Sequence, residues 1–130
     1  MKKITISGSM KSRDKIKDIK EKLERLGFEA LFPNLDYSEE NGGVAESQDE
    51  KSKLAWDHFK AVEESNAVYF LLPQGYMGTS CKLELGYALA LRKDIFFSEK
   101  TNDIGLDSYP KAFIDIDNLE YLRDLIESEL

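Results

Sequence analysis

The stretch that most constrains the fold covers residues 67–98, AVYFLLPQGYMGTSCKLELGYALALRKDIFFS. It opens with a short apolar run that Pro73 and Gly75 stop, which is typical of a parallel strand covered on both faces. Gly78 and a capping residue, Thr79 or Ser80, then indicate the start of a helix. A second apolar run, IFFS, follows that helix. This strand, helix and strand pattern predicts a parallel α/β architecture.

The predicted helix carries one carboxylate, Glu84, in its opening turns. We predict that its buried stripe consists of the apolar residues that recur at helical spacing, Leu83, Tyr87, Ala90 and Leu91. Glu84 follows Leu83 by one residue, so it points roughly 100° around the helix from that stripe. We therefore expect Glu84 to overhang the strand ends. A carboxylate near a helix N-terminus is also an ordinary surface feature.

The rest of the chain alternates in the same way. Further strands are predicted at Lys3–Ser7, 28–32 and 112–116, and further helices at about 12–26, at Gln48–Glu64 and from Asp117 or Asn118 onward. The polar, acidic segment 34–47 is predicted to be a mobile loop, and residues 39–50 could serve as a lid. We predict one domain over residues 1–130, a three-layer α-β-α sandwich with a parallel sheet of order 2-1-3-4-5, flavodoxin-like or Rossmann-like.

In such a sheet, ligands bind beyond the carboxyl ends of the strands where the winding reverses. This rule places Ser7, Gly8 and Ser9, after the first strand, beside the turn at 75–80. Lys11, Ser12 and Arg13 follow closely and add positive charge at a helix N-terminus. The loop is therefore a candidate cradle for a phosphate or a sugar hydroxyl, although Ser-Gly-Ser is also a common turn. The dinucleotide and P-loop glycine motifs do not occur in the sequence.

Composition narrows the choice of ligand. The net charge of -7 and the pI near 4.8 argue against binding to nucleic acid or to an anionic membrane, so we expect a small-molecule ligand. With one cysteine, Cys81, and one histidine, the chain offers neither an internal disulfide nor a Cys/His metal site. We expect a cytoplasmic protein that uses no metal or cofactor and carries no signal peptide or membrane span.

Three segments together, GSM after the first strand, HFKAVEESNAVYFLL and GYMGTSCKLELGYALALRKDIFF, resemble the nucleoside 2-deoxyribosyltransferase family and its relatives, the 2'-deoxynucleoside 5'-phosphate N-hydrolases. The resemblance implies N-glycosidic bond cleavage or base exchange, with Glu84 as the nucleophile. It also implies a homo-oligomer, a dimer or larger. It assigns the sugar or the 5'-phosphate to Ser7, Gly8, Ser9, Gly78, Thr79 and Ser80.

The chain departs from the family pattern on the helix before the third strand. Family members commonly place an aspartate there, oriented toward the leaving base, whereas this chain has Trp56-Asp57-His58-Phe59. Two candidates for the general acid follow, Asp57 and His58. Asn66 also stands where an aspartate is common.

The predicted chemistry suits these residues. A carboxylate beneath the anomeric carbon stabilises an oxocarbenium-like transition state and can trap it covalently. Water then gives a hydrolase and a second base gives a transferase, and the sequence leaves both open. Positive charge from Lys11 or Arg13 would favour a 5'-phosphorylated substrate. The alternatives from other classes are a catalytically silent nucleotide-sensing module and an FMN-binding flavodoxin-like protein; a receiver-type signalling domain lacks its acidic residues.

Overall fold

The structure, a computed structural model, describes residues 1–35 and 47–126. Five parallel strands form one sheet of order β2-β1-β3-β4-β5, as predicted. The strands are β1 Lys3–Ser7, β2 Glu29–Leu31, β3 Ala67–Phe70, β4 Asp94–Phe97 and β5 Ala112–Phe113. Most of the predicted loop at 34–47 and most of the possible lid at 39–50 lie outside the described residues; the last part of that lid, residues 48–50, belongs to the first turn of α2 instead.

Helices cover both faces of the sheet, which confirms the three-layer α-β-α prediction. They are α1 Arg13–Arg25, α2 Gln48–Glu64, α3 Thr79–Ala90, α4 Ile104–Asp107 and α5 Tyr121–Ile126. One apolar core joins α1 and α5 to the Ile4 and Ile6 face of β1. A second core joins α2 and α3 to the opposite face through Val68, Phe70 and Phe97. None of the described helices is long and apolar enough to cross a membrane.

The sequence pattern predicted α1 and α2 well because both have a clear division between apolar and charged positions. In α1 the buried residues are Ile16, Ile19 and Leu23, spaced at three and four. Gly27 follows with a φ of 97°, the left-handed conformation that ends many helices. Ser47 caps α2 by accepting a hydrogen bond from the Glu50 backbone N–H at 3.1 Å.

The predicted buried stripe of α3 is wrong. Leu83 is 60% exposed, whereas Cys81, Glu84, Leu85 and Ala88 face the second core. The error has a physical reason, because apolar residues occupy most positions around this helix and their periodicity does not select one side. Glu84 therefore lies on the buried side of α3, and not at an angle to it.

The C-terminal part of the chain also differs from the prediction. The last helix begins at Tyr121, because residues Ile116–Asn118 form a separate 3₁₀ turn that the Asp115 side chain caps. The short helix α4 was not predicted. It begins after Asp103, whose carboxylate accepts from the backbone N–H groups of Gly105 and Leu106. At four residues, α4 is too short to show a hydrophobic period.

Candidate active site

The principal cavity opens beyond the carboxyl ends of β1 and β3. The parallel register pairs Ser7 with Phe70, so the two strands end side by side and the loops that follow them are neighbours. The cavity has a volume of about 730 Å³ and is walled by these loops together with α2 and α3. It is the crevice that the strand order predicts for a ligand. The predicted site residues in its wall are Gly8, Ser9, Lys11, His58, Gly78, Thr79, Ser80 and Glu84.

Glu84 lies at the bottom of this cavity and is only 7% exposed. Ser7 Oγ, at the end of β1, donates a hydrogen bond to Glu84 Oε1 at 2.8 Å. Burial raises the pKa of Glu84 to about 7, and the Ser7 hydrogen bond and the charge of Lys51 oppose that rise. The site therefore holds a carboxyl group that is close to half ionised at neutral pH, and that group has one fixed orientation.

Cys81 lies one turn before Glu84 on the same side of α3. Its Sγ is 3.4 Å from Ser7 Oγ, and the side chain is buried in the second core. Burial raises the pKa of the Cys81 thiol to about 11, so the thiol is protonated at neutral pH. Cys81 thus packs against the site without offering a nucleophile, as the sequence suggests.

His58 reaches the cavity from α2. Its ring packs edge-on against Phe32, with 4.7 Å between the ring centroids. Its Nδ1 is buried and makes no hydrogen bond of normal geometry with the described residues. Burial is the largest cause that lowers the pKa of His58 to about 4, and the positive charge of Lys51 adds to it. His58 is therefore a neutral imidazole at physiological pH.

Three residues that the sequence suggested, Ser7, Asp57 and Arg13, are not part of the wall of the cavity that the described residues form. Ser7 reaches the site through its hydrogen bond to Glu84. The Asp57 carboxylate accepts hydrogen bonds from Asn34 Nδ2 at 2.8 Å and from Lys53 Nζ at 3.2 Å. These two hydrogen bonds lower the pKa of Asp57. Arg13 lies at the first residue of α1, and the cationic side chain that reaches the cavity from this loop is that of Lys11.

Sequence reasoning missed Lys51 and Gln74, which both line the cavity. Lys51 Nζ donates to Ser80 Oγ at 2.9 Å, so it connects α2 to the first turn of α3. Nothing in the sequence distinguishes this lysine from the others on a highly charged helix. Gln74 follows Pro73 in the turn after β3, a position that sequence reasoning treated only as a strand end.

The turn after β3 has an unusual backbone. Gln74 adopts a φ of 59° and Gly75 a φ of 75°, which is the left-handed region that glycine tolerates best. A Cβ on Gly75 would come within 2.5 Å of the Lys100 carbonyl oxygen, so the loop after β4 leaves room only for glycine. The turn after β3 packs against the loop after β4, and this packing holds the part of the cavity wall that contains Gln74.

The chemical character of the wall is that of a site for a polar organic molecule. Gly78 begins α3 and, having no side chain, leaves the first N–H groups of that helix to a ligand or to water. Thr79 and Ser80 add hydroxyl groups beside them. Within residues 1–35 and 47–126, no three His, Cys, Asp or Glu side chains cluster closely enough to hold a metal ion.

Fold and cavity define a doubly wound α/β protein with a cavity at its topological switch point. Comparison with protein families identifies the type: residues 6–115 match the family model described as nucleoside 2-deoxyribosyltransferase. The chain belongs to that family. A comparison with curated protein sequences gives no significant match.

Two solved structures share the fold. A 2-deoxyribosyltransferase from the psychrotolerant bacterium Bacillus psychrosaccharolyticus has a TM-score of 0.69 and 17% identity, over 91% of this chain and 90% of that one. The CMP N-glycosidase of Clostridium botulinum has a TM-score of 0.55 and 21% identity, over 95% of this chain and 99% of that one. At 17% and 21% identity, the likeness to these two structures shows a shared fold. The nucleoside 2-deoxyribosyltransferase family, to which the chain belongs, is a family of enzymes.

Proposed function

We propose that this protein cleaves, or exchanges the base across, the N-glycosidic bond of 2'-deoxynucleosides or their 5'-monophosphates, with Glu84 as the nucleophile. The observation that carries this proposal is the buried carboxylate of Glu84, held by Ser7 at the bottom of the cavity where β1 and β3 end. A buried acidic group with a raised pKa in a cleft is the signature of a reacting group more often than of a structural one.

The reaction begins with the ionised form of Glu84. One carboxylate oxygen forms a bond to the anomeric carbon of the sugar while the bond from that carbon to the base nitrogen breaks, and the electron pair leaves with the base. The resulting glycosyl ester on Glu84 is then attacked by water or by the nitrogen of a second base, and the proton that this nucleophile loses neutralises the departed base. The first outcome is hydrolysis and the second is base exchange, and both regenerate the carboxylate.

The base leaves with the electron pair of the broken bond, so a hydrogen bond or a proton must stabilise the negative charge that it gains. Two titratable side chains of α2, Lys51 and His58, line the cavity. The low pKa of His58 makes it a neutral donor or acceptor instead of an imidazolium acid. We propose that His58 orients the base through a hydrogen bond. Asp57 is less suited to this role because Asn34 and Lys53 already occupy its carboxylate.

The sugar and any 5'-phosphate would lie against the loop after β1 and the N-terminus of α3. Backbone N–H groups and hydroxyls from Ser9, Gly78, Thr79 and Ser80 line this part of the cavity. Of the two structural neighbours, one is named as a deoxyribosyltransferase and the other as an N-glycosidase of CMP, a 5'-monophosphate. Both kinds of substrate therefore belong in the test.

The test is release of free base, followed by chromatography, from a panel of 2'-deoxynucleosides, 2'-deoxynucleoside 5'-monophosphates and CMP, with and without an acceptor base. We expect wild type to turn over at least one substrate and Glu84→Gln to be slower by at least about 10³-fold. Glu64→Gln, on the exposed side of α2, is the matched control and should retain wild-type turnover. Equal rates for wild type and Glu84→Gln would rule out the nucleophile. Ligand-induced thermal stabilisation without any turnover would support the silent sensing module instead.

We also propose that the protein acts in the cytoplasm as a homo-oligomer, a dimer or larger. Support comes from an apolar strip across α2 and α3, in which Trp56 is 63% exposed and Leu83 is 60% exposed. Phe59 connects Trp56 to Tyr87, with ring centroids 5.3 and 5.1 Å apart. Exposed apolar strips of this kind commonly mark protein interfaces. Light scattering at micromolar concentration should give at least a dimer, and Leu83→Glu should lower the mass; a wild-type monomer would contradict the proposal.

A further inference from the structure

Lys51 occupies a position that links the two helices of the active-site layer. It lies in the first turns of α2, and its Nζ donates to the Oγ of Ser80, the second residue of α3, at 2.9 Å. Lys51, Ser80 and Glu84 all line the same cavity. The ammonium group is therefore tethered at the wall of the site.

The spacing along α3 brings that tether close to the reacting group. Ser80 and Glu84 are four residues apart in one helix, so they are neighbours on the same face, with Cβ atoms about 5–6 Å apart. An ammonium group bonded to Ser80 is therefore on the same side of α3 as the Glu84 carboxylate, and both groups line one cavity. Nearby opposite charges interact strongly when one of them is buried.

The other groups around the cavity do not supply this charge. The remaining titratable side chains in its described wall are Lys11, His58, Tyr76 and Cys81. His58 and Cys81 are both uncharged at neutral pH, for the reasons given above. Ser7 contributes a hydrogen bond but no charge. Lys11 is the other cation of the wall, but the positive charge that opposes the effect of burial on the pKa of Glu84 is that of Lys51.

We propose that Lys51, tethered by Ser80, is a positioning residue whose charge increases the ionised fraction of the buried Glu84 carboxylate and so the fraction that is ready to attack. Its catalytic meaning rests on the proposed function, whereas its electrostatic effect does not. Burial alone would make Glu84 largely neutral at physiological pH, and a neutral carboxylic acid is a poor nucleophile. The charge of Lys51 opposes the effect of burial on the Glu84 carboxyl group. Because the Lys51 side chain is exposed, it does not fill the cavity that a substrate would enter.

The chain offers a matched control for this charge. Lys53 lies two residues further along α2, and its Nζ is 3.2 Å from Asp57, away from the cavity wall. Lys53→Met makes the same substitution as Lys51→Met on the same helix, and so removes an equal charge at a different position. Lys51→Arg keeps the charge but changes its shape, and Lys51→Met removes both the charge and the hydrogen bond to Ser80.

The first measurement is a titration of side chains by NMR, which needs no turnover. Carbon-13-labelled glutamate reports the carboxyl group of Glu84, whose signal is identified by its loss in Glu84→Gln. Lys51→Met should raise the titration midpoint of the Glu84 carboxyl group by about 0.5 to 1 pH unit. The single histidine of the chain, His58, gives a second, unambiguous signal, and its midpoint should rise as well because Lys51 lowers it. Lys51→Arg and Lys53→Met should leave both midpoints near those of wild type.

The second measurement is the acidic limb of the pH dependence of kcat/KM. In Lys51→Met this limb should move upward by the same amount, so that activity one unit below the wild-type midpoint falls about three- to tenfold. Added salt should move the limb in wild type, because Lys51 is exposed and its charge is screened, but not in Lys51→Met.

An unchanged Glu84 midpoint in Lys51→Met would overturn the inference. So would an unchanged acidic limb combined with a higher KM for 5'-monophosphates, since Lys51 would then bind substrate instead of tuning the nucleophile. If the substrate panel gave no turnover while the Glu84 midpoint still shifted, the proposed function would fail and the electrostatic role of Lys51 would stand.

Discussion

Two buried hydroxyl groups on the same face of β1 serve different ends. Thr5 and Ser7 both point toward the layer of α2 and α3, because residues two apart in a strand share a face. Thr5 bonds to Ser65 at the end of α2, and Ser65 in turn donates to the Ala61 carbonyl oxygen at 2.8 Å. Ser7, at the carboxyl end of the strand, donates to Glu84.

The difference between the pairs is the presence of a charge. Two hydroxyl groups that satisfy each other cost little to bury. A buried carboxylate destabilises the fold whenever it is ionised, because its lost hydration is only partly replaced by one hydrogen bond. Only the second pair borders the cavity, since Glu84 lines the wall and the Thr5 pair lies in the interior. We therefore predict that the Ser7 and Glu84 pair, unlike the Thr5 and Ser65 pair, affects turnover.

The largest effect on stability is expected for Glu84→Gln. The pKa of Glu84 rises from an ordinary value of 4.5 to about 7 on folding, so the folded state holds the proton more tightly than the unfolded chain. The resulting stabilisation is complete below about pH 4.5 and is lost as the pH rises through about 7. The neutral amide avoids this loss, and the variant should gain about 2 to 3 kcal/mol over wild type on going from acid to alkaline pH. Urea denaturation at about pH 5 and pH 8 measures it. A difference independent of pH would remove the distinction between the pairs.

A smaller effect is expected for Ser7→Ala. The hydroxyl lowers the pKa of Glu84 by donating to the charged form, so its loss should raise that pKa further and free the carboxylate to rotate. We expect kcat/KM at neutral pH to fall roughly ten- to a hundredfold, as for a lost hydrogen bond to a charged group. Steady-state kinetics over pH measures this, and a wild-type acidic limb in Ser7→Ala would show that the hydroxyl is only structural.

The smallest effect is expected for Thr5→Val. This nearly isosteric change removes the hydroxyl, and Ser65 keeps its hydrogen bond to Ala61. The free energy of unfolding should change by less than about 1 kcal/mol, without a dependence on pH, and turnover should match wild type. Thermal denaturation together with the base-release assay checks both points. A catalytic defect in Thr5→Val would mean that β1 acts as one unit and that the two pairs are not separable.

Much of the fold follows from the sequence because its signals are redundant. The two central strands β3 and β4 are short, largely apolar runs, and the alternation of strands and helices along the chain leaves few ways to order a parallel sheet. The same rule located the crevice between the loop after β1 and the turn before α3. This rule also led to Glu84 as a candidate, because that carboxylate lies in the early turns of the helix that follows the crevice turn, α3.

The orientation of individual side chains could not be predicted with the same success. Asp57 and His58 are adjacent in the chain, so about 100° of helix rotation decides that the histidine enters the cavity while the aspartate bonds to Asn34 and Lys53. The apolar residues around α3 likewise hid its buried side. The position of Lys51 depends on how α2 packs against α3, which is a tertiary contact with no trace in local sequence.

The most direct test of the central claim is to identify the atom that becomes bonded to the sugar. The reaction with the best substrate of the panel is quenched in acid during turnover, and the protein is digested and mapped by mass spectrometry. We predict that the peptide containing Glu84 gains the mass of the deoxyribosyl group, with the 5'-phosphate if the substrate carries one, and that fragmentation places it on Glu84. An adduct on any other residue, or base release by Glu84→Gln at the wild-type rate, would contradict the account.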